Sequence, residues 1–261
     1  MGVMGAALAT LTARIVSALV MVVLLSRKDN PLCIATPGCM KPQRDVIGKI
    51  LKIGIPSGVE NGMFQIGKLA VTSMVATFGT ASIAANSVGY TVIDFANIPG
   101  NAMGLALITV VGQCIGAGEK KQAKQYTKKL VGLAYLGDWI CNIALFLLAG
   151  TIAKCFHLSP EAVRIAEQIL HCFAVTSLFI WPLSFTLSNA LRAAGDATFT
   201  MIVSIASMWI FRVGSSYFFG IVLQMGVLGI WIGMFVDWGA RSALFGWRFL
   251  SGKWLQRKAL A

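Results

Sequence analysis

The sequence predicts an all-α fold: a polytopic membrane helix bundle with seven spanning helices. Three observations carry that expectation. Of 261 residues, 57% are hydrophobic and only 12% are charged, too few to cover a soluble domain of this length. Seven apolar stretches are long enough to cross a bilayer as helices, which takes about 20 residues each. Basic residues gather in alternate gaps between those stretches, the pattern that membrane orientation imposes.

The first stretch, residues 2–25, is too long for the apolar core of a signal peptide and no small-residue cleavage site follows it, so it reads as a spanning helix. The second, 47–78, carries Gly54 and Pro56 one turn before Glu60, where they loosen the helix ladder. The third is 81–115, the fourth 130–156 and the fifth 162–191, the last opened by Ser159-Pro160-Glu161 with proline at the first helical position. The sixth is 199–223 and the seventh 229–250. The second, third and fifth exceed the bilayer thickness, so they tilt, bend or run past the membrane.

Charge fixes the orientation. Arg27, Lys28, Lys41, Arg44, Lys49 and Lys52 follow the first helix, and Lys120, Lys121, Lys124, Lys128 and Lys129 follow the third. Arg192 follows the fifth, and Arg248, Lys253, Arg257 and Lys258 close the chain, while only Lys154 and Arg164 fall on the opposite side. Sixteen against two places the amino terminus outside and the carboxyl terminus in the cytoplasm of a cell (plasma) membrane. The same bias accounts for the net charge of +12 without nucleic acid, since no aromatic residues interleave with the lysines.

An odd helix count has a second explanation. Gly2-Val3-Met4-Gly5-Ala6 recurs as Gly226-Val227-Leu228-Gly229-Ile230, each opening an apolar helix, at an offset of 224 residues. Two repeats fit this, the first helix closing one and the other six forming the next. On that expectation the chain is a piece of a longer protein with about five helices before it.

Polar residues inside the apolar stretches point to a site. A carboxylate or ammonium at bilayer depth costs roughly 2.5–3.5 kcal/mol on insertion scales unless it faces protein or water. Glu60 and Lys68 lie on the second helix, where Asn61, Gln65, Lys68 and Thr72 share a face with Glu60 beside it. They stand eight residues apart, too far for an intrahelical bridge, so Lys68 is expected to pair with Asp94 or with a group beyond this chain. Burial disfavours an ionised Glu60 and a nearby cation favours it, so its protonation answers to its neighbours, as a proton- or sodium-coupled carrier requires. On the third helix Asn86, Tyr90, Asp94, Asn97 and Asn101 are spaced four, four, three and four apart and share a face. Lipid cannot solvate such a stripe, so it lines a cavity or bonds to other helices.

The expected coupling residues are therefore Glu60 and Asp94, and the expected cavity wall is Asn61, Gln65, Lys68, Asn86, Tyr90, Asn97 and Asn101. Asp237 and Arg241, four apart on the last helix, form a structural ion pair, and Arg212 needs carbonyls or an acid on a neighbour. No nucleophile, base and orienting group come together in the pattern, so catalysis is not expected. Cys33, Cys39, Cys114, Cys141, Cys155 and Cys172 show neither paired nor zinc-ligand spacing and read as structural; no metal and no organic cofactor is expected beyond H⁺ or Na⁺.

Four stretches together resemble the multidrug and toxic compound extrusion (MATE) family of cation-coupled antiporters, in its Firmicutes-type bacterial form. They are Gly54-Ile55-Pro56-Ser57-Gly58-Val59-Glu60-Asn61-Gly62-Met63-Phe64-Gln65, Val111-Gly112-Gln113-Cys114-Ile115-Gly116-Ala117-Gly118, Leu191-Arg192-Ala193-Ala194-Gly195-Asp196, and Asp237-Trp238 with the closing Arg248 to Trp254. The resemblance implies twelve helices in two six-helix lobes around a central cavity. Residues 1–25 would be the last helix of the amino-terminal lobe, 26–49 a cytoplasmic inter-lobe loop, 50–252 the carboxyl-terminal lobe and 253–261 a cytoplasmic tail. It also implies export of organic cations or drug-like compounds, with Glu60 on the seventh-helix glutamate that many members use for coupling. Two features depart from the family pattern: residues 178–188 hold no tenth-helix acid, and the first-helix aspartate of other members belongs to the lobe not present. Two rival expectations stand beside it, a related flippase for lipid-linked oligosaccharides and a seven-helix receptor of the same topology.

Overall fold

The computed structural model describes residues 2–25 and 44–255, and among these it is helical with no strand. Most of the expected inter-lobe loop, with Cys33 and Cys39, and the tail from 256 onward lie outside the described residues. The chain divides into two compact units, residues 1–50 and 51–261. In the first, helix α1 (Gly2–Leu25) satisfies its own hydroxyls: Thr12 and Ser17 donate to the carbonyls four residues back, each at 2.8 Å. That is what an apolar surrounding demands of a polar side chain.

Helix α2 (Arg44–Ala76) begins in the first unit and continues into the second. It runs through Pro56 without interruption, contrary to the expected loosening before Glu60. The break falls one helix later. The third stretch is two helices, α3 (Thr80–Ala96) and α4 (Ile98–Gly116), meeting at Asn97. Pro99 has no N–H to donate back, and here, unlike at Pro56, the ladder breaks; Asn97 ends α3 by donating to Ile93 O at 3.0 Å and starts α4 by accepting from Asn101 N at 3.0 Å.

Helix α5 (Lys120–Cys155) follows a tight turn in which Gly118 adopts φ 79°, a conformation open to glycine. The Ser159 hydroxyl caps α6 (Pro160–Trp181), accepting from Ala162 N at 3.3 Å, with Pro160 at the first position. At Pro182 the missing donor widens the ladder into a π turn, Pro182–Thr186, before α7 (Leu187–Ala193). Helix α8 (Ala197–Ala206) likewise widens over Ser207–Val213 and Tyr217–Val222, on either side of the short α9 (Gly214–Ser216). Helix α10 (Gly226–Leu250) and a 3₁₀ turn (Lys253–Leu255) complete the described chain.

Five of these helical stretches are long and apolar enough to cross a membrane: within α1, α4, α5, residues 160–193 and residues 197–222. Helices α2 and α10, also expected to span, carry more charge, and α10 buries its Asp237 and Arg241 inside the bundle. Close packing of α10 depends on Gly229 and Gly233. A Cβ there would come within 2.5 Å of Phe219 O and 2.6 Å of Ser216 N, so the backbones touch as small residues four apart allow in membrane helices.

The second unit has two apolar cores rather than one. One gathers residues 85–96, 145–153, 166–181 and 227–238, with Phe173, Trp231 and Trp238 as the large members. The other gathers Leu107, Val111, Leu191, Phe245, Phe249 and Trp254. Between the two cores several helices carry polar side chains: Asn97 and Asn101 on α3–α4, Asp138 and Asn142 on α5, Ser184, Thr186, Ser188 and Asn189 on α6–α7, and Asp237, Arg241 and Ser242 on α10. The functional residues sit in this middle layer.

Candidate functional site

Glu60, only 6% exposed, is held by Arg192 of α7, whose Nη2 donates to Oε1 at 2.5 Å. Arg192 is also fixed by Asn189, through Nη1 to Oδ1 at 3.2 Å. The pair forms part of the wall of a cavity of about 230 Å³, with Asn61, Asn101, Ser184 and Ser188. The acid is therefore buried and has open space beside it. Ser184, Ser188 and Arg192 stand four apart, a polar stripe on the fifth predicted helix that sequence reasoning missed by treating Arg192 as an orientation charge. The stripe itself was the available signal.

A second cavity, about 210 Å³, adjoins the first and shares Phe64, Asn101, Trp181 and Phe185 with it. Tyr90, Asp94, Asn97 and Asn101 all line it, so the break at Asn97 leaves four of the five predicted third-helix residues on one wall. Asn86 is elsewhere: it is buried and accepts the Trp231 indole N–H at 3.2 Å, bracing an aromatic wall residue from behind. Gln65 is exposed and borders neither cavity. Lys68 lines the second cavity without pairing to Asp94; its Nζ lies over the Tyr90 ring at 4.8 Å, and among the described residues no acid comes within 4.0 Å of it. A ring face attracts an ammonium group, and it reaches Lys68 where the Asp94 carboxylate does not.

Behind the shared wall, Asp237 is fully buried and accepts from three groups: Ser207 Oγ at 2.5 Å, Arg241 Nε at 2.9 Å and Arg241 Nη2 at 2.5 Å. Arg212 Nη1 stands 3.9 Å from the same carboxylate and Nη2 donates to the Tyr90 hydroxyl at 3.5 Å. Both guanidinium groups flank Phe64, at 5.4 and 5.3 Å from its centroid. This network ties α2, α3, α10 and the widened Ser207–Val213 turn together, and it brings in Arg212 where only Asp237 and Arg241 were expected to pair.

Asp138 organises the break itself. Its Oδ1 accepts the Gly100 N–H at 3.0 Å in the first turn of α4, while Thr186 donates to the Gly100 carbonyl at 3.1 Å. A carboxylate at a helix start opposes the positive end of the helix dipole, so this buried acid acts as a cap borrowed from α5. Any side chain at position 100 would meet both Asp138 oxygens within 2.9 Å and the Trp181 ring at 2.2 Å, so only glycine fits. Asp196, fully buried after α7, accepts from Arg248 Nε at 2.7 Å and ties α10 to that end of the bundle.

A family model described as MatE matches residues 56–218, more than half of the chain. The chain belongs to the MatE family. Among curated relatives, the probable multidrug resistance protein NorM of Thermotoga maritima is 29% identical over 261 residues, spanning 100% of this chain and 55% of that protein. The uncharacterized transporter YisQ of Bacillus subtilis is 27% identical over 259 residues, 98% of this chain and 56% of its own length. An outward-facing multidrug resistance MATE transporter of the MOP superfamily superposes with a TM-score of 0.85 at 22% identity, over 97% of this chain and 57% of that one. An inward-facing one gives 0.73 at 22% identity, over 97% and 59%. Such likenesses establish the fold, a helical one shared with MATE transporters. This MatE-family chain spans about half the length of the curated relatives it matches.

Proposed function

We propose that this MatE-family chain is the carboxyl-terminal part of a multidrug efflux transporter, exchanging H⁺ or Na⁺ for amphipathic, often cationic, organic compounds. In this reading residues 50–252 form one six-helix lobe and residues 1–25 the last helix of a partner lobe, with 26–49 and 253–261 on the cytoplasmic side of the plasma membrane. The observation that carries it is the Glu60–Arg192 pair at the edge of a cavity in the polar middle layer. A cation or proton that claims Glu60 competes with Arg192, and releasing that bond uncouples α2 from α7. An ion thereby changes how two helices of one cavity wall are tied, which is the element ion coupling needs. Asp94, exposed to the second cavity, offers negative charge to a cationic substrate, and Trp181, Trp231 and Phe185 offer faces to an aromatic one. Rocking of two lobes about such a cavity would alternate its access.

The test is efflux of a fluorescent organic cation from vesicles carrying the chain together with its amino-terminal lobe. Glu60→Gln is expected to abolish efflux driven by an imposed H⁺ or Na⁺ gradient. Unchanged efflux in that variant removes Glu60 from the mechanism.

A further inference from the structure

Four acids are buried among the described residues: Glu60, Asp138, Asp196 and Asp237. Three of them rest on an arginine, Glu60 on Arg192, Asp196 on Arg248 and Asp237 on Arg241. Asp138 does not; among the described residues no basic side chain comes within 4.0 Å of it. Its carboxyl accepts the Gly100 N–H at Oδ1, while the buried Oδ2 has no hydrogen-bond partner. An ionised carboxyl so placed is a buried charge without a counter-ion, and binding a proton removes that cost.

The surroundings suit the acid form. Asn142, one turn along α5, donates through Nδ2 to the Asp138 carbonyl at 2.8 Å and to Ser177 Oγ at 3.5 Å, and its buried Oδ1 accepts from nothing. Asn97 Oδ1, three residues before Gly100, is a second buried acceptor without a donor. An O–H on Asp138 is the kind of donor that both lack. The titratable groups on the elements around it are engaged elsewhere. Tyr135 donates to Phe179 O at 2.7 Å, His171 meets Phe146 O at 3.1 Å, and Glu167 lies against Gly150. Arg192 and Arg241 hold their own acids, and Asp94 faces the second cavity.

We propose that Asp138 is a proton-binding site separate from Glu60, carrying a proton on Oδ2 at neutral pH and releasing it at higher pH to tighten the break between α3 and α4. Oδ1 accepts from Gly100 in both forms, so the cap persists. Losing the proton adds a full negative charge at the positive start of α4, which draws that helix end closer. Both carboxyl oxygens lie within 2.9 Å of where a side chain at Gly100 would begin, and Gly100 borders the first cavity. The proton leaves Oδ2 for water in that cavity, past a residue with no side chain, and no covalent bond besides O–H changes. Asn97 and Asn101, on either side of Gly100, carry the change into both cavities. The purpose of the site rests on the efflux reading: an ion at Glu60 acts on the cavity wall from within, and a proton at Asp138 acts on it from behind.

The test is infrared difference spectroscopy of the chain in neutral detergent, titrated from neutral to alkaline pH. A protonated carboxyl has a C=O stretch that a carboxylate lacks. Wild type is expected to show that band at neutral pH and to lose it as the pH rises. Asp138→Asn, which keeps an oxygen to accept from Gly100, is expected to lack the band, and Glu60→Gln to retain it. Labelling wild type with ¹³C-aspartate provides a reading that needs no change at position 138: the band should shift with the label and survive Asp94→Asn. No acid band in wild type, a band that the label does not shift, or one that Asp138→Asn retains overturns the inference. Efflux by the whole transporter, followed against pH, is expected to lose in Asp138→Asn the step that coincides with the fading band; an unmoved profile removes the coupling role. The band is read without transport, so a failed Glu60→Gln efflux result leaves it standing, and the reverse holds too.

Discussion

Removing the two partners of the Glu60–Arg192 bridge one at a time gives unequal losses, and the inequality follows from burial. Arg192 keeps 30% of its side chain exposed, whereas Glu60 keeps 7%. Exposed ion pairs contribute about 0–1 kcal/mol, and stranding one partner of a fully buried pair costs about 3–5 kcal/mol. Glu60→Gln leaves an arginine that can turn toward water, so the loss is near the lower range, about 1 kcal/mol. Arg192→Gln leaves a carboxylate with little water, so about 2–4 kcal/mol is expected. The double variant restores neutrality and is expected to be more stable than Arg192→Gln alone. The assay is the thermal unfolding midpoint of the chain in one detergent for wild type, both singles and the double. Equal losses for the singles, or a double variant that is worse than Arg192→Gln, would show that the short contact does not hold the two helices.

Three further expectations use the same assay. Asp138→Ala leaves the Gly100 N–H without its acceptor and is expected to cost about 1–3 kcal/mol, whereas Asp138→Asn keeps an acceptor oxygen and most of the stability; identical losses would contradict the capping role. Gly233→Val places a side chain against Ser216 backbone at 2.6 Å and is expected to cost at least about 1–3 kcal/mol, and a neutral result would mean that α10 is less tightly packed than described. Arg241→Met strands buried Asp237 with Ser207 and a distant Arg212, for a loss of about 3–5 kcal/mol. Replacing Asp237 by Leu in the same chain should recover much of that loss, and no recovery would argue against the ion pair as its source.

Much of the fold was legible because lipid constrains a sequence more tightly than water does. Spanning helices must be apolar and about 20 residues long, and each predicted stretch from 47 to 250 contains a helix in the structure. What the pattern could not decide was which proline breaks its helix. Pro56 and Pro99 look alike in sequence, yet Pro56 lies inside a continuous helix while Pro99 follows Asn97, where Asp138 and Thr186 from other helices satisfy Gly100. That difference depends on distant partners, and no local propensity encodes it. The same holds for pairing: spacing along a helix put Asp237 beside Arg241, but Arg192 reaches Glu60 across 132 residues of chain. Lys68 shows the limit most clearly, since an acid one helix away was the plausible partner and a tyrosine ring holds it.

Asn101 borders both cavities, which makes it the position where the account is most exposed. With the native cysteines replaced by serine, Asn101→Cys in intact membranes should react rapidly with a charged, membrane-impermeant thiol reagent, and an amphipathic substrate should slow that reaction. Labelling only by lipid-soluble reagents would mean that water does not reach the middle layer, and an efflux path beside Glu60 could not exist there.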